Sequence, residues 1–134
     1  MCGSGTICSE AALIKADIAP GLNRVFAFQK WLNYDYDLFS SIKRKLISKI
    51  NLSQKFNIYG SDYDYQSINN CKQYLLDSKY NMSINYSIRN INNFDTERFK
   101  DSKNIIITNP PYGVRIDSND SFKSIHAGFN KILN

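Results

Sequence analysis

Two adjacent prolines, Pro110 and Pro111, follow directly on the run Asn104-Ile105-Ile106-Ile107-Thr108. Three consecutive isoleucines between polar residues mark a short strand buried in a sheet, because β-branched side chains suit the pleat. Neither proline has an N–H to give to a ladder, so the strand ends there. A stiff loop, Asn109-Pro110-Pro111-Tyr112-Gly113, then begins at the strand's carboxyl end. In an open α/β sheet the carboxyl ends of the strands are where ligands sit.

The loop carries specific chemistry. Asn109 offers an amide oxygen, and Pro110 has a carbonyl but no N–H, so two acceptors stand close together. Such a pair suits a planar NH₂ group on a nucleobase. An exocyclic amine is a poor nucleophile because its lone pair is delocalised into the ring. Accepting both protons orients it and favours the charge that develops on nitrogen as it attacks. Tyr112 supplies a face on which the base can stack. The structural alternative is a proline-stiffened turn with a helix-capping Asn109.

Read from its start, the chain opens on Met-Cys-Gly-Ser-Gly-Thr and runs into a helical stretch from Ile7 to Ala16. A Gly-x-Gly-Thr loop leading into a helix can cradle a ligand, since glycine lets the backbone approach closely and the helix N-terminus favours anions. Thr6 is expected to cap the helix, with Glu10 near its first turn. The loop lacks the lysine of a phosphate-binding P-loop and the third glycine of the dinucleotide fingerprint. A loop of this kind is fed by a strand, so the first strand of the sheet is expected ahead of Met1, with this chain a piece of a larger enzyme.

Residues 17–40 hold a breaker-rich turn, Ile18-Ala19-Pro20-Gly21-Leu22, and then Phe26, Phe28, Trp31, Tyr34, Tyr36 and Phe39. Local packing of an irregular excursion is favoured over a nucleic-acid-facing surface with Arg24 and Lys30. From about Ser41 to Ile50 the pattern is helical, with Ile42, Leu46 and Ile50 on one stripe and Lys43, Arg44 and Lys45 facing away. Residues 56–60 form a strand candidate ending near Asp62, where a carboxylate can accept both hydroxyls of a ribose. Asp64 is the better cap for the next helix, residues 65–78, whose stripe is Ile68, Cys71 and Leu75; Cys71 reads as a buried small hydrophobe. Residues 81–88 alternate with period two, placing Met82, Ile84, Tyr86 and Ile88 on one face. Asn90 stands at that strand's exit and could hydrogen-bond a base edge. Residues 95–103 read as a short helix or loop and 114–120 as a polar loop. Phe122, Ile125, Phe129 and Ile132 mark a final helix.

Strands alternating with helices predict an α/β fold with a mostly parallel, doubly wound sheet. Four ligand-facing segments emerge in order: the glycine loop, Asp62, Asn90 and the loop at 109–112. A nucleoside-bearing cofactor fits the first three and an amine-bearing base fits the fourth. Seventeen basic against twelve acidic residues give +5, compatible with a polyanionic partner or with a merely basic surface. Cys2, Cys8 and Cys71 have no paired spacing and His126 has no Cys or His near it in sequence, so neither a zinc site nor a disulfide framework is expected. No apolar run approaches membrane-spanning length and no signal peptide is present, so a soluble protein of the reducing cytoplasm is expected.

These motifs together resemble the class I S-adenosylmethionine-dependent methyltransferase domain of the THUMP-associated family, nearest to the RlmL-like large-subunit rRNA guanine-N2 methyltransferases. The resemblance rests on residues 1–7 followed by Glu10-Ala11-Ala12, on Ala19-Pro20-Gly21-Leu22 with Arg24, Phe26, Phe28 and Trp31, on Gly60-Ser61-Asp62-Tyr63-Asp64, and on the loop 109–113. It implies that residues 1–134 are a partial Rossmann-like methyltransferase domain, with the first strand and the C-terminal strands of the sheet outside this chain. It further implies methyl transfer from S-adenosylmethionine to the exocyclic N2 of a guanine in structured RNA, with large-subunit rRNA as the partner and no metal. Gly3 and Gly5 would line the methionine portion, Asp62 would hold the ribose hydroxyls and Asn90 would face the adenine. Asn109 and the Pro110 carbonyl would orient the amine, and Tyr112 would stack on the flipped base. Two departures stand out: the Asp-Pro that the family carries just before Met1 is absent, and Asn90 fills a position that is usually Asp. The alternatives are a DNA adenine-N6 or other amino-group methyltransferase, which shares the loop 109–113 but not residues 19–31, and an inactive RNA-binding remnant.

Overall fold

A computed structural model describes residues 1–80, 82–99, 103–110 and 119–133. Helix α1 (Thr6–Lys15) follows the glycine loop, and α2 (Tyr36–Ile47) follows the excursion. Strand β1 (Tyr59–Asp62), helix α3 (Tyr65–Leu76) and strand β2 (Asn85–Ile88) come next. Short 3₁₀ turns at Ile91–Asn93 and Glu97–Phe99 precede helix α4 (Asn119–Leu133). β1 and β2 pair in parallel, Tyr59 opposite Asn85 through Asp62 opposite Ile88, and α3 supplies the crossover that parallel neighbours require.

The core forms where small residues let α1 lie close to the sheet. Cys8, Ala12 and Ala16 recur every fourth position and are buried with Ile18, Leu22, Phe56, Met82 and Ile84. On α3 the stripe Ile68 and Cys71 is buried almost completely, as its spacing predicts. Asp64 caps α3, its side chain accepting from the Gln66 and Ser67 N–H groups, and Asp35 caps α2 through the Leu38 N–H. α4 packs on the turn Ile91–Asn93 around the buried Gly128, with the Asn92 amide donating to Ser124 Oγ at 2.7 Å.

Several elements depart from their sequence outlines. α2 starts at Tyr36, five residues before the expected onset, where the Asp35 side chain accepts from the Leu38 N–H; Leu46 and Ile50 pack on the core while Ile42 remains exposed. β1 is shifted towards its carboxyl end and includes Asp62, and pairing along β2 begins only at Asn85. Thr6 does not cap α1. The N-cap is Gly5 in the left-handed region (φ 78°), without a side-chain cap, and Thr6 is the first helical residue. The excursion packs on itself through Phe26, Phe28, Tyr34 and Phe39, ring centroids 5.4–6.0 Å apart, whereas Trp31 and Tyr36 are exposed.

The largest correction concerns residues 104–108. They are not assigned as a strand, and Ile105, Ile106 and Ile107 are 87%, 54% and 64% exposed. A strand requires a neighbour about 4.8 Å away to take its peptide groups. Among the described residues, none pairs with the backbone of Ile105, Ile106 or Ile107. The segment instead lines one wall of a cleft of about 1040 Å³, whose other walls include Gly60 and Ser61 of β1, Cys8 and Phe129. The polar loop at 114–118 and the side chain of Phe122 lie outside the described residues.

Candidate cofactor and amine site

Residues 3–5 form a tight loop at the carboxyl end of β1. Gly3 and Gly5 both have positive φ, 53° and 78°. The loop is tied to the strand end at several points. The Met1 and Cys2 nitrogens both donate to the Ser61 carbonyl, the latter at 2.8 Å. The Gly3 N–H donates to Asp62 Oδ2 at 2.9 Å, and Asp62 Oδ1 accepts from the Asp64 N–H at 3.1 Å. Asp62 is buried, 7% exposed, and both of its oxygens already serve the backbone. A carboxylate has about four lone-pair sites, so one acceptor position remains on each oxygen.

The two glycines face opposite ways. A Cβ placed on Gly3 would meet no atom within 4 Å. A Cβ on Gly5 would lie 2.7 Å from the Tyr86 hydroxyl and 2.8 Å from Cys71 Sγ. Gly3 therefore leaves room for a ligand, while Gly5 is required by packing against β2 and α3. The sequence treats the two alike, since a Gly-x-Gly spacing carries no information about direction.

Beneath the loop lies a cluster that sequence spacing missed. Cys71 Sγ donates to the Gly3 carbonyl at 3.3 Å, and Cys2 Sγ approaches the same oxygen at 3.9 Å. Burial pushes the Cys71 thiol above its ordinary pKa. Burial first, and then the neighbouring Cys71, push Cys2 up to about 11. Both are thus protonated donors at neutral pH. Tyr86 lies over Gly60 and contacts the Ser9 hydroxyl, and burial raises its phenol to about 12. Cys71 is buried, as expected, but it is also a hydrogen-bond donor. Only the helical stripe of α3 together with the three-dimensional position of the loop could have revealed that.

Asn90 stands at the exit of β2, exposed, with its side-chain oxygen accepting from the Asn92 N–H at 3.0 Å as the cap of the turn Ile91–Asn93. Its amide nitrogen has no partner among the described residues and remains available as a donor. At the other approach, Thr108 Oγ1 donates to the Met1 carbonyl at 3.4 Å, tying the segment before Asn109 to the residues before the glycine loop. Asn109 is exposed and Pro110 half-buried; Pro111, Tyr112 and Gly113 lie outside the described residues. So Gly3, Asp62, Asn90 and Asn109 all stand at strand or segment exits; one hydrogen bond links the glycine loop to Asp62, and another links Thr108 to Met1 just ahead of that loop. Among the described residues no group of three or more His, Cys, Asp and Glu could hold a metal ion, and no helix is long and apolar enough to cross a membrane.

The chain is 36% identical over 143 residues to the ribosomal RNA large subunit methyltransferase K/L of Cellvibrio japonicus, covering 99% of this chain and 18% of that protein. The structure superposes on that of the methyltransferase SMU.472 complexed with SAH with a TM-score of 0.86, at 26% identity over 99% of this chain and 34% of that one. It superposes on a predicted N6-adenine-specific DNA methylase from Listeria monocytogenes with a TM-score of 0.79, at 29% identity over 98% of this chain and 35% of that one. The chain thus spans under a fifth of that curated relative and about a third of each of these solved chains. The fold is the Rossmann-like α/β fold of the class I methyltransferases. The RMKL-like methyltransferase domain (UPF0020) matches residues 1–134 from end to end, and the chain belongs to that family.

Proposed function

We propose that this chain carries the cofactor and amine-binding segments of an S-adenosylmethionine-dependent methyltransferase that modifies the exocyclic N2 of a guanine in large-subunit rRNA. The observation that carries the reading is that both segments are tied to the first residues of the chain beside the carboxyl end of β1. Asp62 and Gly3 hold the glycine loop there, and Thr108 brings the Asn109-Pro110 segment beside it.

The residues present fit the cofactor. Gly3 opens onto free space, and α1 begins without a side-chain cap, leaving its first N–H groups for the carboxylate of an amino acid. Asp62 keeps acceptor capacity for ribose hydroxyls, and the Asn90 amide can meet an adenine edge. Bound there, the sulfonium cofactor supplies an electrophilic methyl group. The chain's own part is to hold and align the acceptor. The Asn109 amide oxygen and the Pro110 carbonyl take the two hydrogens of the amine, turning its lone pair towards the methyl group, and Tyr112 stacks on the flipped base. No strong general base is needed, and the rate gain comes from alignment and from dipoles that favour charge developing on nitrogen.

A second reading has a specific observation in its favour: the Listeria monocytogenes neighbour is described as an adenine-specific DNA methylase, and adenine also presents an exocyclic NH₂. Incubation with methyl-labelled S-adenosylmethionine and unmodified rRNA, followed by nucleoside analysis, separates the two. The expected product is N2-methylguanosine, reduced about 10²- to 10³-fold in rate by Asn109→Ala. N6-methyladenosine in a DNA substrate would establish the second reading, and label in neither nucleic acid would overturn both.

A further inference from the structure

The cofactor-binding reading uses the upper side of the glycine loop and leaves its lower side unexplained. There the Gly3 carbonyl faces the Cys71 thiol at 3.3 Å, and Cys71 is fixed in α3 at 1% exposure. The peptide joining Gly3 to Ser4 is trans. In a trans peptide the carbonyl and the N–H point in opposite directions. A Gly3 carbonyl tied down to Cys71 therefore turns the Ser4 N–H the opposite way, away from Cys71. That N–H has no partner among the described residues, and the Ser4 side chain is engaged elsewhere, with Thr6 Oγ1 at 3.0 Å.

We propose that Cys71 is a positioning residue for the cofactor: its S–H, donating to the Gly3 carbonyl, orients the Ser4 N–H to receive the carboxylate of the cofactor's amino-acid end. The proposal rests on the cofactor reading above and adds a residue on α3 that touches no ligand. Burial keeps the thiol protonated, so the donor is present at neutral pH. Cys2 Sγ also approaches this carbonyl, but at 3.9 Å, so Cys71 at 3.3 Å is the nearer donor to it; Tyr86 and Asp62 complete the support from β2 and β1.

The test compares two probes on the 134-residue chain, S-adenosylhomocysteine, which has the amino-acid carboxylate, and 5′-methylthioadenosine, which lacks it. Cys71→Val removes the donor while filling the space, Cys71→Ala removes both, and Cys71→Ser restores a donor. Loss of one neutral hydrogen bond predicts roughly 3- to 10-fold weaker S-adenosylhomocysteine binding in Cys71→Val. Methylthioadenosine binding should change less than about 2-fold, and Cys71→Ser should stay within about 2-fold of the parent chain for both probes. A merely structural role for Cys71 would weaken both probes together and would leave the serine variant no better than valine; either result overturns the proposal. If Cys71→Ala unfolds, the serine-to-valine comparison still decides. Failure of the parent chain to bind either probe would refute the cofactor reading itself and the positioning role with it. Binding of both probes with no difference among the variants would refute the positioning role alone.

Discussion

Replacing each loop glycine by alanine separates strain from packing. Gly3→Ala and Gly5→Ala place a side chain at positive φ in both cases, 53° and 78°, at a cost of about 1–2 kcal/mol each. Both also restrict the unfolded chain to a similar extent. These effects largely cancel in the difference between the two variants. What remains is steric: the Gly5 Cβ lies 2.7 Å from Tyr86 Oη and 2.8 Å from Cys71 Sγ, whereas the Gly3 Cβ meets nothing within 4 Å. Contacts that short force displacement of side chains that are themselves packed, which costs about 1–3 kcal/mol. Gly5→Ala should therefore be less stable than Gly3→Ala by about 1–3 kcal/mol, a large fraction of a small domain's roughly 5–15 kcal/mol. Urea unfolding followed by circular dichroism measures it as a shift in midpoint at constant slope. Tyr86→Phe removes the nearer of the two atoms. In the Gly5→Ala background it should cost at least about 0.5 kcal/mol less than it does alone. Equal stabilities for the two alanine variants, or strict additivity of Gly5→Ala and Tyr86→Phe, would refute the account of how the loop rests on its floor.

Two titrations bear on the same scaffold. The Ser67 hydroxyl and N–H hold the Asp64 carboxyl below its usual value of 3.8, so its stabilising effect on α3 is present above that value and is lost as the pH falls through the lower folded-state value; thermal midpoints of the parent chain should fall more steeply below pH 4 than those of Asp64→Ala. Burial raises Tyr86 to about 12, so the folded state keeps its proton while the unfolded tyrosine ionises near 10; stability that is complete below pH 10 should decline between pH 10 and 12, and Tyr86→Phe should flatten that decline in urea titrations.

The parts of the fold legible in the sequence were those set by local rules. Asp64 announces α3 because a carboxylate before a helical stripe caps N–H groups wherever the helix goes, and Ile68 and Cys71 are buried because their spacing puts them on one face. The excursion's self-packing was legible because six aromatic residues fall within fourteen positions, although Trp31 and Tyr36 stayed outside the cluster. Residues 104–108 show the limit. An Ile-Ile-Ile run reports that a segment suits a strand, but a strand exists only with a partner, and partners are a property of tertiary placement. Gly5 as a helix cap was missed for a related reason: Thr6 is the better capping residue by type, yet position 5 is left-handed and a Cβ there would meet Tyr86 and Cys71, which leaves glycine.

Asp62 links the shape of the site to its chemistry. Its two oxygens bind the N–H of Gly3 on one side and of Asp64 on the other, so one carboxylate joins the glycine loop to the cap of α3. Asp64 in turn begins the helix whose seventh residue, Cys71, returns to the Gly3 carbonyl. The Gly3 peptide groups are thus gripped from both ends of one structural circuit, N–H by Asp62 and carbonyl by Cys71. A loop held in this way is already ordered, so a ligand bonding the free lone pairs of Asp62, as proposed, would cost little ordering entropy. The same circuit explains why a carboxylate, and not an amide, belongs at position 62. An asparagine would present its NH₂ to one of the two backbone donors and break the link at that point, whichever way it turned.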